Sequence, residues 1–574
     1  MFLSGILMKL RTHLEPFSSF GSWFSICQQT PRKYVTCSFG EGVYVRCHHG
    51  KGIEPNEVFK LEILRHGQVV EAEVEADASE MRFTTGEGSM RVVFDAQGGL
   101  RFRGDKLGLR FRAPGWVAYS EAPELFTVNA TKFERRFQFE CLVGNLQWDA
   151  PWTGKRCAHI RLDLIPDESG NCEVALEECT STRVPSPDRD PYPELRKRSE
   201  ADFRDFCSSH GEGTRDPELN ETWIRSLYVN WSSCVRPEGL LTRTTMLMSK
   251  HWMDRVWSWD HCFNAQALIH GKEGLAWDQL MLMFDHQDAF GALPDSVTDT
   301  TIPFNFSKPP VHGWTVRCLL EACGTRPDRT FLETLYSHLA RHTDWFLTHR
   351  RRTGMALPYY LHGNDSGWDN STMFAEGVPL VAPDLAALLV VQTEVLSELA
   401  SGLGKTSESE DWTRTSQGLQ EGLMELWNGS CFLPRRIHEG RELVPVECRS
   451  LIPYIPIFLG DRLDAEIRKA LAAGIEAFIT EYGVATEHPG SERYEPDGYW
   501  RGPIWAPSTV LIVYGLADSG YTEMAGTIAR RFCNTCRRSG FAENFNALTG
   551  EGLRDRAYTW TSSAFQMLAR RFLL

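Results

Sequence analysis

Two acidic segments lie far apart in the chain, Gly363-Asn364-Asp365-Ser366-Gly367-Trp368-Asp369-Asn370-Ser371 and Glu543-Asn544-Phe545-Asn546-Ala547-Leu548-Thr549-Gly550-Glu551-Gly552, each set among aromatic and glycine residues. Paired carboxyl groups in such surroundings suit cleavage of a glycosidic bond. That reaction needs one carboxylic acid to protonate the leaving oxygen and one carboxylate acting from the opposite face of the sugar, so the two must converge from different elements. Asp369 and Glu543 are the candidate pair. The 18 Trp residues point the same way, because an indole face suits the C–H face of a sugar ring while its N–H can hydrogen-bond. Most of them must still serve helix packing.

Other chemistries have less support. No clustered Cys/His ligand set stands out, and the acids need neither metal nor cofactor. Cys533-Asn534-Thr535-Cys536 is the only CxxC among 16 cysteines, and in a helical, Arg-flanked setting it reads as structural. The glycine-rich pieces lack the strand and helix context of a dinucleotide site.

The elements that must position these residues change character once. From about Tyr34 to Val184 the chain reads in short alternating runs, such as Val58 to Leu64, Val69 to Val74 and Phe137 to Leu142, broken at turns such as Asp95-Ala96-Gln97-Gly98-Gly99. Period-two patterning with frequent turns predicts an antiparallel β-sandwich over 34–184. Val184 to Pro193 then carries four prolines in ten residues, a linker that leads with a short helix through 185–215. Residues 1–33 form an N-terminal segment for which poor order is expected. Beyond the linker, apolar stripes at helical period recur over Leu332 to Leu347, Asp384 to Leu399, Trp412 to Trp427, Ala465 to Phe478, Pro507 to Ala517 and Thr522 to Arg537. Roughly twelve such stretches between Asn220 and the end predict an (α/α)6 toroid over 216–574, six inner helices ringed by six outer ones.

Composition bounds the partners. With 42% hydrophobic and 24% charged residues the chain is globular, and a net charge of −14 disfavours nucleic acid, whose binding rests on clustered Lys and Arg. A small neutral carbohydrate fits better. Lys9, Arg11, His13 and Glu15 interrupt the apolar groups near the start, so neither a membrane span nor a cleavable leader is expected and the cytoplasm is the default location.

From about Trp252 onward the chain resembles glycoside hydrolase family 63, the processing α-glucosidases and their glucosylglycerate- and mannosylglycerate-cleaving relatives, and more distantly the family 37 trehalases. The resemblance rests on Trp257-Ser258-Trp259-Asp260-His261-Cys262-Phe263, Ser307-Lys308-Pro309-Pro310-Val311, Asp365 to Ser371, Tyr499-Trp500-Arg501-Gly502-Pro503-Ile504-Trp505, and Glu543 with the turn Thr549-Gly550-Glu551-Gly552. A final Tyr558-Thr559-Trp560-Thr561-Ser562 echoes the family's closure. The resemblance implies an inverting, exo-acting α-glycoside hydrolase, an α-glucosidase on a short glucoside or oligosaccharide, with Asp369 as general acid and Glu543 as general base. The alternatives are a trehalase-like enzyme, a mannosylglycerate or glucosylglycerate hydrolase, or a non-catalytic carbohydrate-binding relative.

The same resemblance assigns further residues. Asp260 holds hydroxyls of the cleaved sugar, or caps the helix that follows. Asp365 is the rival for the acid, or orients sugar hydroxyls. Trp257, Trp259, Trp368, Trp500 and Trp505 wall the pocket or pack beneath it. Arg501 pairs with a carboxylate or a sugar hydroxyl, or braces its loop. Were the aglycone glycerate, a cation would be needed for its carboxylate, with Lys308, Arg243 and His312 as candidates.

Overall fold

The computed structural model describes residues 8–31, 37–50, 56–183, 189–211, 213, 216–438 and 442–573. Residues 184–188 of the proline-rich linker, and 1–7 with 32 and 33 of the N-terminal segment, lie outside them. The chain divides into two compact units. The first takes in Met1–Glu212, Leu227–Arg255 and Thr298–Thr301, and the second Gly213–Ser226, Val256–Val297 and Ile302–Leu574.

The first unit is built on antiparallel sheets. One orders β1 (Phe24–Gln29), β2 (Gly42–Cys47), β3 (Glu57–Arg65), β9 (Gly108–Ala113), β14 (Ile160–Ile165) and β13 (Asn145–Asp149), with β4 (Gln68–Val69) paired to β3. The other orders β10 (Val117–Ala122), β11 (Leu125–Ala130), β12 (Arg135–Val143), β15 (Asn171–Cys179), β8 (Leu100–Asp105), β7 (Gly88–Phe94), β6 (Met81–Thr85) and β5 (Glu73–Ala76). Side chains alternate across each strand, so Phe59 of β3 and Phe111 of β9 meet Phe102 of β8 and Phe137 and Phe139 of β12. Their rings lie 4.9 to 6.1 Å apart, mostly edge to face. Each fully buried ring contributes about 1.5–3 kcal/mol. The opposite faces carry ladders of charge: Arg110 reaches Asp163 at 2.7 Å and Arg101 reaches Glu173 at 3.1 Å.

The run Val69 to Val74, which reads as one strand, is split between β4 in one sheet and β5 in the other. Its residues are largely exposed, so neither sheet gains enough burial to hold all of it. Strand β1 lies ahead of the Tyr34 boundary and Phe17, Trp23 and Phe24 are buried, so the described part of the N-terminal segment is ordered by the core it joins; Leu227–Arg255, expected among the helices, groups with the strands. Lys250 shows why: its buried ammonium donates to Cys234 O at 2.9 Å and to Ser18 Oγ at 3.2 Å. Helix α1 (Tyr192–Ser209) follows the proline-rich segment and starts on a proline in its first turn, where a missing N–H costs nothing.

The second unit is helical. Helix α2 (Pro217–Ser233) opens in it, followed by α3 (Asp260–Leu268), α4 (Glu273–Asp285), α5 (His312–Ala322), α6 (Arg329–His349), α7 (Pro383–Gly402) and α8 (Thr406–Met424). A 3-10 segment, Ile452–Arg462, kinked at Gly460, precedes α9 (Ala465–Glu476), α10 (Ala506–Asp518), α11 (Thr522–Ser539) and α12 (Thr559–Phe572). Helix α3 packs on α5, α5 on α7, α7 on the 3-10 segment, that segment on α10, α10 on α12 and α12 back on α3. Six inner elements therefore close a ring. Their sequences explain the placement, since α3, α7, α10 and α12 are buried almost all round whereas α6, α8, α9 and α11 carry one apolar stripe and lie outside. Helix α4, packed on α3, and the start of α2 take the two remaining outer places, with Arg570 of α12 over the Trp223 ring. The expected (α/α)6 toroid and β-sandwich are the observed architecture. Helix α7 is long and apolar enough to cross a membrane, but most of it is buried in this ring.

Candidate active site

The residues with chemistry to offer gather at or just before the N-termini of the inner elements. Asp260 opens α3, the Lys308 loop leads into α5, Asp384 stands in the first turn of α7, Trp505 caps α10 and Tyr558 caps α12.

Asp369 sits on a loop held by its neighbours. Gly367 adopts φ 69°, and a Cβ there would lie 2.5 Å from Cζ2 of Trp259, so only glycine lets this turn pass. Asn370 then bolts the loop to residues 498–501: its Nδ2 donates to Gly498 O at 3.0 Å, its Oδ1 accepts from Trp500 N–H at 2.9 Å and its carbonyl accepts from Arg501 Nε at 2.9 Å. Arg501 thus braces the loop. Asp365 does the same, with both carboxylate oxygens taken by backbone N–H groups, Ser307 at 2.9 Å and Leu361 at 2.8 Å. Asp369 by contrast keeps a quarter of its side chain open.

Lys308, 5% exposed and at φ 53°, reaches Asp295 at 3.2 Å, Asp369 at 3.9 Å and Asn364 O at 3.0 Å. Burial opposes its charge, but Asp369, Asp295 and Asp260 outweigh that and raise its pKa. Burial also lifts the Asp369 carboxyl above its ordinary range; Lys308 opposes, Asp295 adds to the rise, and a hydrogen bond from Tyr499 pulls back.

Glu543 is placed by a small three-stranded sheet. Ile504 and Trp505 pair with Phe545 and Asn544, which pair in turn with Gly552 and Leu553. Glu543 precedes this pairing, donates its N–H to Asp555 O at 2.9 Å, and is 3% exposed. Its Oε2 is buried and accepts no protein hydrogen bond among the described residues. Burial, with Asp555 beside it, pushes its carboxyl up to about 8 against the pull of Arg554.

Asp260 accepts from Tyr558 OH at 3.2 Å, and burial pushes it up to about 8 against Lys308. It occupies the first turn of α3 while Trp259 is the cap residue, so the alternative of a capping Asp does not hold. Tyr499 ties these groups together. At φ 64° its phenol is raised well above the usual value by burial, then by Asp369 and by Glu543. The Arg554 guanidinium, itself at φ 60°, covers the Tyr499 ring at 4.7 Å and pairs with Asp497 at 2.9 Å.

The tryptophans form a floor rather than open walls. Trp500 and Trp505 stack at 4.0 Å, Trp368 lies 4.8 Å from Trp500, and Trp560 stands edge-on to Trp259 and Trp505. All five are buried; Trp257 is partly open. Of the cations considered for an acidic aglycone, Lys308 stands beside Asp369 while also meeting Asp295, His312 is buried, and Arg243 belongs to the first unit. Asp295, Arg554 and Asp555 escape a reading of the sequence, in which Tyr499, Tyr558 and Trp560 stand only as motif landmarks. No spacing marks Asp295 or Asp555; the one signal for Tyr499 and Tyr558 is that each flanks a motif tryptophan.

Such a set, one buried and one half-buried carboxyl raised by their surroundings around a shared tyrosine with a lysine beside one of them, can hold a proton on one acid and take one with the other. The description "Mannosylglycerate hydrolase MGH1-like glycoside hydrolase domain" matches residues 253–561. The chain is 22% identical over 429 residues to a mannosylglycerate hydrolase of Rubrobacter radiotolerans, covering 57% of this chain and 96% of that protein. The GH63 mannosylglycerate hydrolase of Thermus thermophilus, solved with Tris and D-glycerate, superposes with a TM-score of 0.53 at 20% identity over 60% of this chain and 98% of its own. A bacterial glucoamylase solved with acarbose superposes with a TM-score of 0.58 at 11% identity over 92% of this chain and 86% of its own.

Proposed function

The chain belongs to the mannosylglycerate hydrolase MGH1-like glycoside hydrolases, and from that premise we propose that it cleaves an α-glycoside of glycerate, mannosylglycerate or glucosylglycerate, with inversion. This reading replaces the α-glucosidase of a short glucoside as the first choice, because the matched family and the relatives point to glycerate as the leaving group.

Asp369 is the general acid. Burial raises its carboxyl above the ordinary range and so favours the protonated form, and Lys308 at 3.9 Å stabilises the carboxylate left once that proton has passed to the glycosidic oxygen. Glu543 is the general base. Its unpartnered Oε2 is free to accept a proton from a water, whose oxygen bonds to the anomeric carbon as the bond to glycerate breaks. Asp260, with Tyr558, holds sugar hydroxyls; Asp365 and Arg501 position the acid's loop. The observation that carries the assignment is Tyr499, whose phenol feels both Asp369 and Glu543, which supports one chamber for the two.

The test is NMR with anomers resolved, on mannosylglycerate, glucosylglycerate, trehalose, kojibiose, nigerose, maltose and isomaltose. Initial release of the β-anomer from a glycerate substrate, lost in Glu543→Gln, is expected. Initial release of the α-anomer, or turnover only of the disaccharides, would overturn the reading.

A further inference from the structure

Beneath Asp260 and the Lys308 loop the second unit gathers nitrogen and sulfur groups that hydrolysis does not use. His261 and Cys262 follow Asp260 in α3, and His312 opens α5, four residues after Lys308. All three are at most 1% exposed. One ligand atom from each lies within 4.8 Å of the other two.

The hydrogen bonding leaves these atoms aimed at one another. His261 Nδ1 is 3.0 Å from Trp257 O, and a carbonyl only accepts, so Nδ1 carries the hydrogen and Nε2 presents a bare lone pair, 3.7 Å from Cys262 Sγ. A backbone carbonyl fixing the far nitrogen is the usual support of a metal-bound imidazole. His312 has no hydrogen-bond partner on either ring nitrogen among the described residues. His342 of α6, 1% exposed and also without a partner at Nδ1, stands edge-on to it with centroids 4.9 Å apart. Leaving a buried polar nitrogen unsatisfied costs about 1–3 kcal/mol, and this spot collects three. Packing does not call for histidine here, since Phe284 fills the adjoining space with an apolar ring.

We propose that His261 Nε2, Cys262 Sγ and a ring nitrogen of His312 bind a zinc ion, with His342 offering a fourth nitrogen. Two or three imidazoles and one thiolate are borderline-soft donors without a carboxylate, which suits Zn2+ and not Ca2+ or Mg2+. Tetrahedral bonds of about 2.0–2.3 Å place such donors about 3.3–3.6 Å apart, a small contraction reached by turning side chains. Burial keeps the Cys262 thiol protonated without metal, so binding breaks its S–H bond, forms a Zn–S bond and releases the proton to solvent. The ion would tie the start of α3 to the start of α5, and so hold Asp260 and Lys308 in register.

The test is metal content of the full chain purified without added metal and after incubation with Zn2+ and dialysis. About one zinc per chain is expected in wild type and in Cys533→Ser, falling at least tenfold in Cys262→Ser and His312→Gln. Stoichiometric zinc retained in both of those folded variants, zinc lost from Cys533→Ser instead, another metal bound in zinc's place, or none bound by wild type would each overturn the proposal. Should the variants not fold, X-ray absorption of zinc-loaded wild type decides: a shell of one sulfur with nitrogens supports the site, and one with two sulfurs or only oxygens overturns it.

Discussion

The two units bury charge and strain in opposite ways. In the sheet unit the buried ions meet partners: Arg101 has Glu173, Arg110 has Asp163, His49 lies 2.9 Å from both Asp299 and Glu178, and Lys250 is wrapped in carbonyls. Its non-glycine residues at positive φ, His66, Lys106 and Glu134, sit in the links between successive strands, where such a conformation is what a tight reversal requires. Among the described residues of the helical unit the positive-φ ones other than glycine are Lys308, Tyr499 and Arg554, all at the candidate site. Beside them Asp260 and Glu543 are raised to about 8 rather than neutralised by a close cation. The first pattern holds a fold together. The second holds groups away from their most comfortable state, which is what proton transfer asks of them.

The sharpest way to break this contrast is to remove the proton chemistry alone. Asp369→Asn and Glu543→Gln should each lower kcat by ~10²–10⁴-fold with far-UV circular dichroism unchanged. A substrate with an activated leaving group should restore Asp369→Asn and leave Glu543→Gln inactive. Next is the sheet unit: Arg101→Met strands Glu173 in a buried position and should cost ~3–5 kcal/mol of that unit's stability in denaturant titration. The kcat per folded molecule should stay the same; a drop in kcat would mean that the two units are not so divided in labour.

Two pH effects sharpen the comparison further. With the proposed roles the kcat/KM profile needs Glu543 ionised and Asp369 protonated, so with both raised it should rise towards pH 8 instead of within the ordinary carboxylate range, the limbs belonging to the coupled set. Lys308→Met removes the cation that lowers Asp369 and should move the high-pH limb up by ~1 unit. The smallest effect is on stability. A carboxyl raised in the folded state binds protons more tightly there than in the unfolded chain, so its ionisation costs stability as pH rises from the ordinary Asp range through about 8. Asp260→Asn should therefore raise Tm more at pH 9 than at pH 5, while Asp163→Asn in the sheet unit, which breaks a pair, should lower it.

Much of this was legible in the chain. Period-two runs such as Phe137 to Leu142 became β12, and the stripes at Leu332 to Leu347 and Thr522 to Arg537 became α6 and α11, because one-sided burial writes its period into the sequence. The acids and tryptophans of the candidate site stand in the chain as motifs. Their division of labour does not. Asp365 and Asp369 are four residues apart in the same loop, yet one spends both oxygens on backbone amides and the other stays open.

What the sequence determined by itself was the set of elements and the acids they carry, because burial period, turn residues and residue type are local properties. What only the tertiary structure decided was which groups meet: Lys308 with Asp295 and Asp369, Tyr499 between two carboxyls, and His261 and Cys262 with His312 fifty positions on. Those meetings arise where the inner ring closes, and proximity across a closed ring leaves no period in the chain that a reader could count.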